Sequence, residues 1–128
     1  MSKNDTAKAA HRAPSIAWSR AQALQRMDGD EKLLLEILQI FLEEHPKLIA
    51  QMDRGLAEQN PELLEHAAHS LRGELGYLGV PEIEQLAHQL EEFGRQRQLT
   101  AAAELLASLK QQLSEFSETV RNAVGAQP

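Results

Sequence analysis

The sequence predicts an all-α protein: an antiparallel up-down four-helix bundle with an additional short N-terminal helix. Three observations carry this. Leucine and alanine dominate an apolar content of 42%, and only 4% of residues are aromatic, a mixture that favours helices over sheets. Apolar residues recur at helical spacing along the chain, in segments separated by a few residues that carry proline, glycine or asparagine. Connections that short make consecutive helices antiparallel neighbours. At 128 residues the chain suits one domain with a core large enough to need no staples.

Each element has its own justification. Residues 1–15 show no apolar periodicity and contain Pro14, so they read as a flexible leader or linker before a domain spanning 16–124. A short helix from Ile16 to about Met27 presents Ile16, Ala23, Leu24 and Met27, and Asp28-Gly29 supplies the turn after it. Asp30 then caps a segment bearing Leu33, Leu34, Ile37, Leu38, Phe41 and Leu42, followed by Leu48, Ile49, Met52 and Leu56. The period survives Pro46, which predicts one long helix bent there, with two helices as the alternative. Asn60-Pro61 has the form of an N-cap and first-turn proline, opening a helix that runs to about Leu78, and Gly79 is placed as its C-cap. Pro81 starts a helix presenting Ile83, Leu86, Ala87, Leu90 and Phe93, which Gly94 to Gln98 close. The last helix begins near Leu99 or Thr100, shows Ala102, Leu106, Leu109, Leu113, Phe116 and Val120, and ends around Ala123, with 125–128 frayed.

Composition also excludes function classes. Without cysteine there are no disulfides, thiolate metal sites or thiol nucleophiles. A formal net charge of −6 argues against a nucleic-acid partner, which would need a clustered basic surface. Apolar runs are far too short for a membrane span, and the amino terminus lacks the apolar core of a signal peptide, so a soluble, cytoplasmic chain is expected. No Walker-type glycine loop or other nucleotide motif occurs, so the chain is not expected to use ATP itself.

The segment 61–78 carries the chemistry. At about 100° per residue it separates into two faces. Leu64, Ala67, Ala68, Leu71, Leu75 and Leu78 gather on one, while Glu62, Glu65, His66, Arg72, Gly73 and Gly76 share the side of His69, which is therefore expected to be exposed. Each glycine inside a helix costs roughly 0.5–1 kcal/mol relative to alanine. Gly73 and Gly76 lie one and two turns beyond His69 and strip side chains from the surface where another molecule would approach the imidazole. Arg72, at i+3, places a guanidinium within reach of an anion held on the ring. A neutral imidazole offers a lone pair for attack on phosphorus without a general base. Phosphoryl transfer is mostly positioning and charge stabilisation, so a nucleophile and a cation suffice if a partner brings Mg²⁺.

The stretch His69-Ser70-Leu71-Arg72-Gly73-Glu74-Leu75-Gly76-Tyr77-Leu78-Gly79 resembles the motif of the histidine-containing phosphotransfer (HPt) family, H-x-L-K-G closed by a hydrophobic-Gly pair. Ala67-Ala68, Gly29-Asp30-Glu31 and Phe41-Leu42-Glu43-Glu44-His45-Pro46 are also similar to it, so the resemblance spans about Ile16 to Ala123. It implies a four-helix bundle in which His69 is phosphorylated, Arg72 stands in the place of the usual lysine, and Gly73 opens the site. It further implies response-regulator receiver domains, or a hybrid sensor kinase bearing one, as partners of a monomeric chain with no cofactor of its own, the Mg²⁺ sitting on the receiver. Family members usually carry small residues where this chain has Glu74 and Leu75. The wheel puts Leu75 toward the core and Glu74 at its margin, so altered packing is expected rather than lost chemistry, and partner choice is left open.

Other residues are read more plainly. His66 and Tyr77 lie on the margin of the His69 face as partner contacts, with helix packing an equal alternative for Tyr77. His66 and His69 have a spacing compatible with a metal, yet the Glu-x-x-His motif of di-metal bundles is absent and no metal is expected. His11, His45 and His88 read as solvated, and Glu43-Glu44 and Glu91-Glu92 as solvated faces. The rival to phosphotransfer is a degenerate HPt-like adaptor that docks partners without carrying phosphate.

Overall fold

A computed structural model describes residues 18–125, which form five α-helices: α1 (Arg20–Arg26), α2 (Glu31–Ala57), α3 (Pro61–Leu78), α4 (Pro81–Arg95) and α5 (Leu99–Gly125). Helix α3 packs against α4 and α2, and α5 closes the ring by packing against both α4 and α2. This is the four-helix bundle expected, with α1 seated across α2 and α3.

The helix starts follow local chemistry. Asp30 Oδ1 accepts from the Leu33 N–H at 3.0 Å and Asn60 Oδ1 from the Leu63 N–H at 3.1 Å, each satisfying a donor the first turn leaves free. Gly79 ends α3 in the left-handed conformation, φ 76°, where its N–H donates to the Leu75 carbonyl. The expected start at Ile16 lies outside the described residues, and α1 begins later, at Arg20, because the Ser19 hydroxyl caps it by accepting from the Gln22 N–H at 3.1 Å. Trp18 precedes the helix. Its indole N–H donates to the Leu78 carbonyl at 2.8 Å and its ring meets Phe116 edge-on, tying this segment to the end of α3 and to α5.

Leu34, Leu38, Phe41, Met52, Leu64, Leu71, Leu75, Ile83, Leu90, Leu109 and Phe116 make one core. Each fully buried side chain of this size contributes about 1.5–3 kcal/mol. Helix α2 runs unbroken through Pro46, so the single-helix reading holds. Three expectations change. Leu33 is exposed, since Leu34, Leu38 and Phe41 define the inward stripe and leave it on the shoulder. His45 is buried rather than solvated: its Nδ1–H donates to the Phe41 carbonyl at 2.8 Å and its ring stacks on Phe41. Burial holds His45 below the usual imidazole range despite the backbone bond. Gly94 belongs to α4, and the closing turn is 96–98. A methyl group on Gly94 would sit 2.9 Å from the Glu65 nitrogen, and one on Gly55 would sit 3.0 Å from the Leu64 nitrogen. Both glycines let a neighbouring helix approach the backbone of α3.

Candidate functional site

Helix α3 divides as its sequence requires. Leu64, Ala67, Ala68, Leu71, Leu75 and Leu78 are all buried, whereas His69 keeps 61% of its side chain exposed. His66, Gly73 and Tyr77 are exposed on the same helix, while Arg72 and Gly76 are partly covered. A methyl group on Gly73 would meet nothing within 4 Å, and one on Gly76 would make ordinary contact with Glu84. Neither glycine is needed for internal packing, so the bare strip beside His69 faces outward. Tyr77, at 66% exposure, presents most of its ring to the surface.

Glu91 organises the site. It comes from α4, is only 5% exposed, and lies under His69 and Arg72 of α3. Its Oε2 is 2.9 Å from His69 Nδ1, and its Oε1 accepts from Arg72 Nε at 2.8 Å. Arg72 Nη2 lies 3.2 Å from the same Nδ1. An unprotonated Nδ1 would aim its lone pair at the carboxylate oxygen, so the arrangement selects the tautomer in which Nδ1–H donates to Glu91. The lone pair then resides on Nε2. Arg72 contributes a positive charge beside the ring rather than a second hydrogen bond to it.

Burial alone would raise the Glu91 carboxyl, but the bonds from Arg72 and His69 and their charges outweigh it and hold the group below the usual carboxylate range. Arg95 adds a contact at 3.4 Å to Glu91, pairs with Glu92, and reaches Glu65 on α3 at 3.4 Å. His88 Nδ1 stands 3.9 Å from Glu91 Oε1, so it borders the site instead of lying free in solvent. His66 lines an open depression with Glu62, Glu65, His69 and Glu91. His11 lies outside the described residues.

Glu91 is not on a solvated face with Glu92, as the sequence suggests, but buried against α3. A signal was present: Glu91 sits four residues after Ala87 and three before Gly94, both on the buried stripe of α4. A carboxylate at such a position needs a partner. Among the described residues no cluster of three or more His, Asp or Glu side chains is arranged to hold a metal ion, and no helix is long and apolar enough to cross a membrane.

An outward imidazole with Nδ1 anchored, a guanidinium beside it and a bare approach surface on a helical bundle suit a phosphoryl carrier. Residues 36–119 match the model of the Hpt domain, and the chain belongs to that family, whose domains carry out histidine phosphotransfer in phosphorelays. It is 32% identical over 110 residues to the signal transduction histidine-protein kinase BarA of Shigella flexneri and 31% identical to BarA of Escherichia coli K12. These matches take in 86% of this chain but only 12% of either kinase's length. Among solved structures it resembles the histidine-containing phosphotransfer protein HptB of Pseudomonas aeruginosa PAO1, with a TM-score of 0.80, 16% identity and coverage of 87% of this chain and 96% of that one. The HPT domain of a Shewanella sensor hybrid histidine kinase matches with a TM-score of 0.76 at 20% identity, covering 86% and 95%.

Proposed function

We propose that His69 is the carrier residue, accepting a phosphoryl group from the aspartate of one receiver domain and passing it to the aspartate of another. The observation that supports this most is the 2.9 Å contact between His69 Nδ1 and the buried Glu91 carboxylate, on a ring otherwise largely exposed. Nε2 attacks phosphorus as the bond from phosphorus to the aspartyl oxygen breaks and the carboxylate leaves with the electron pair. The imidazole becomes cationic while phosphorylated, and Glu91 stabilises it through the retained Nδ1–H. Arg72 offsets charge on the phosphoryl oxygens. Mg²⁺ belongs to the receiver, and transfer runs in either direction between two high-energy carriers, the phosphohistidine and the aspartyl phosphate.

In the same reading the chain works as a monomer in the cytoplasm, and receiver domains dock over His69, His66, Gly73, Gly76 and Tyr77. Kinase relatives that contain a segment like this one support a hybrid sensor kinase as one source of the receiver. The test is incubation with phosphorylated receiver domains. Acid-labile, base-stable phosphate is expected on the native chain and none on His69→Gln, with helicity unchanged by circular dichroism. Binding of receivers with no phosphate acquired would instead favour the adaptor reading.

A further inference from the structure

Glu74 lies in a second feature of α3, a groove toward α2 of about 180 Å³ that it lines with Ile37, Ile40, Phe41, Tyr77 and Leu78. Its walls are apolar and its rim is open, with Ile40 51% and Tyr77 66% exposed. Within these walls Glu74 Oε1 is buried and has no hydrogen-bond partner among the described residues. A buried polar atom left unpaired costs about 1–3 kcal/mol, so the fold gains nothing from a carboxyl here. Burial, and then the carboxylate of Glu44 on α2, push Glu74 up to about 7. Among the described residues Glu44 is bonded by Lys47, which is exposed, at 3.3 Å, and no ion pair reaches Glu74.

We propose that the groove is a specificity pocket of the receiver-docking face, built to take one lysine or arginine side chain from the receiver, its methylenes against Ile37, Ile40 and Tyr77 and its charged head on Glu74. The proposal rests on the phosphotransfer reading. Charge complementarity selects the occupant: apolar walls suit an aliphatic stem, and an unpartnered acid calls for a cation. Position supports it as well. Tyr77 lines both this groove and the depression formed with Arg26, Gly73 and Gly76, so the two adjoin. From His69 to Tyr77 is about 12 Å along the helix at 1.5 Å per residue, well inside a footprint of about 800 Å² per partner.

The probes are purified, unphosphorylated receiver domains, some presenting a lysine or arginine on the docking surface and some not, titrated against the full chain by calorimetry. Glu74→Gln should weaken binding about tenfold for receivers that present a lysine or arginine on the docking surface, and leave the others unchanged. Replacing that basic residue by methionine in the receiver should give the same loss, with no further loss in the double variant. Glu74→Lys should reverse the preference toward receivers with an acid there. Binding of Glu74→Gln within twofold of the native chain for every receiver, or a loss not coupled to a basic residue, would overturn the proposal. His69 labelling by phosphorylated receivers, followed in parallel, separates the two levels: labelling with no effect of Glu74 sinks the pocket alone, whereas no labelling by any receiver sinks the phosphotransfer reading and the pocket with it.

Discussion

Two carboxyl groups sit at the edges of helix α3, and their surroundings are opposite. Glu91 reaches it from α4 and is met by Arg72, His69 and Arg95, so it stays ionised in spite of its burial. Glu74 belongs to α3 itself, faces apolar side chains and Glu44, and holds its proton to about pH 7. The difference teaches that burial does not decide what an acid does; its partners do. Where cations are built in, the acid positions them for chemistry. Where they are missing, it is left available to a partner.

Breaking the Glu91 side should have the largest effect on the chemistry itself. Glu91→Ala frees both His69 and Arg72, and phosphoryl transfer should fall about tenfold to a hundredfold, by analogy with the loss when the carboxylate that orients a metal-ligating histidine is removed. Glu91→Gln should fall less, because its amide oxygen still accepts from Nδ1–H. Rapid-quench transfer assays across pH distinguish this from a folding defect, since loss of the anchored tautomer alters the pH profile and simple destabilisation does not. Arg72→Ala should slow transfer about tenfold without abolishing acceptance, as expected for one charge-assisted contact of about 1.5 kcal/mol. Unchanged transfer in that variant would restrict Arg72 to holding Glu91.

Gly73→Leu tests the surface between the two acids. With nothing within 4 Å of its outward position, the substitution should leave the melting temperature within a few degrees of the native value while abolishing receiver binding. A collapse in stability with binding retained would contradict the outward role.

The smallest effect concerns Glu74 and carries a definite sign. Its folded-state value lies above its unfolded one, so its contribution to stability is fully present below the unfolded carboxylate range and is lost as pH rises toward about 7. Glu74→Gln should therefore match the native chain near pH 4 and exceed it by roughly 1–2 kcal/mol above pH 7, after discounting for partial solvent screening. Glu91, held low, behaves oppositely: its stabilisation is present above the unfolded range and is lost as pH falls through its folded-state value. Urea denaturation of the two Gln variants at a series of pH values reads both slopes.

This contrast also explains what was legible in the sequence. Helix α3 was read to its residue bounds, because a first-turn proline, a C-terminal glycine and two sharply separated faces all belong to local chemistry. His69, Arg72 and Gly73 stood out for the same reason: glycines in a helix interior break the pattern. Glu91 did not, because Glu91-Glu92 looks like any solvated pair until α3 is laid across it, and Arg72 and His69, its nearest partners, come from that other helix. His45 was hidden similarly, its burial depending on α2 packing and its stacking on Phe41. The start of α1 was misplaced because Ile16 extended an apolar pattern that the Ser19 cap interrupts.

The most direct test of the central claim is the state of the His69 ring, read by NMR on ¹⁵N-histidine-labelled protein before and after phosphorylation. The account predicts a proton on Nδ1 in the neutral form and, after transfer, phosphorus coupled to Nε2. Phosphorus on Nδ1, or a neutral ring protonated at Nε2, would contradict it.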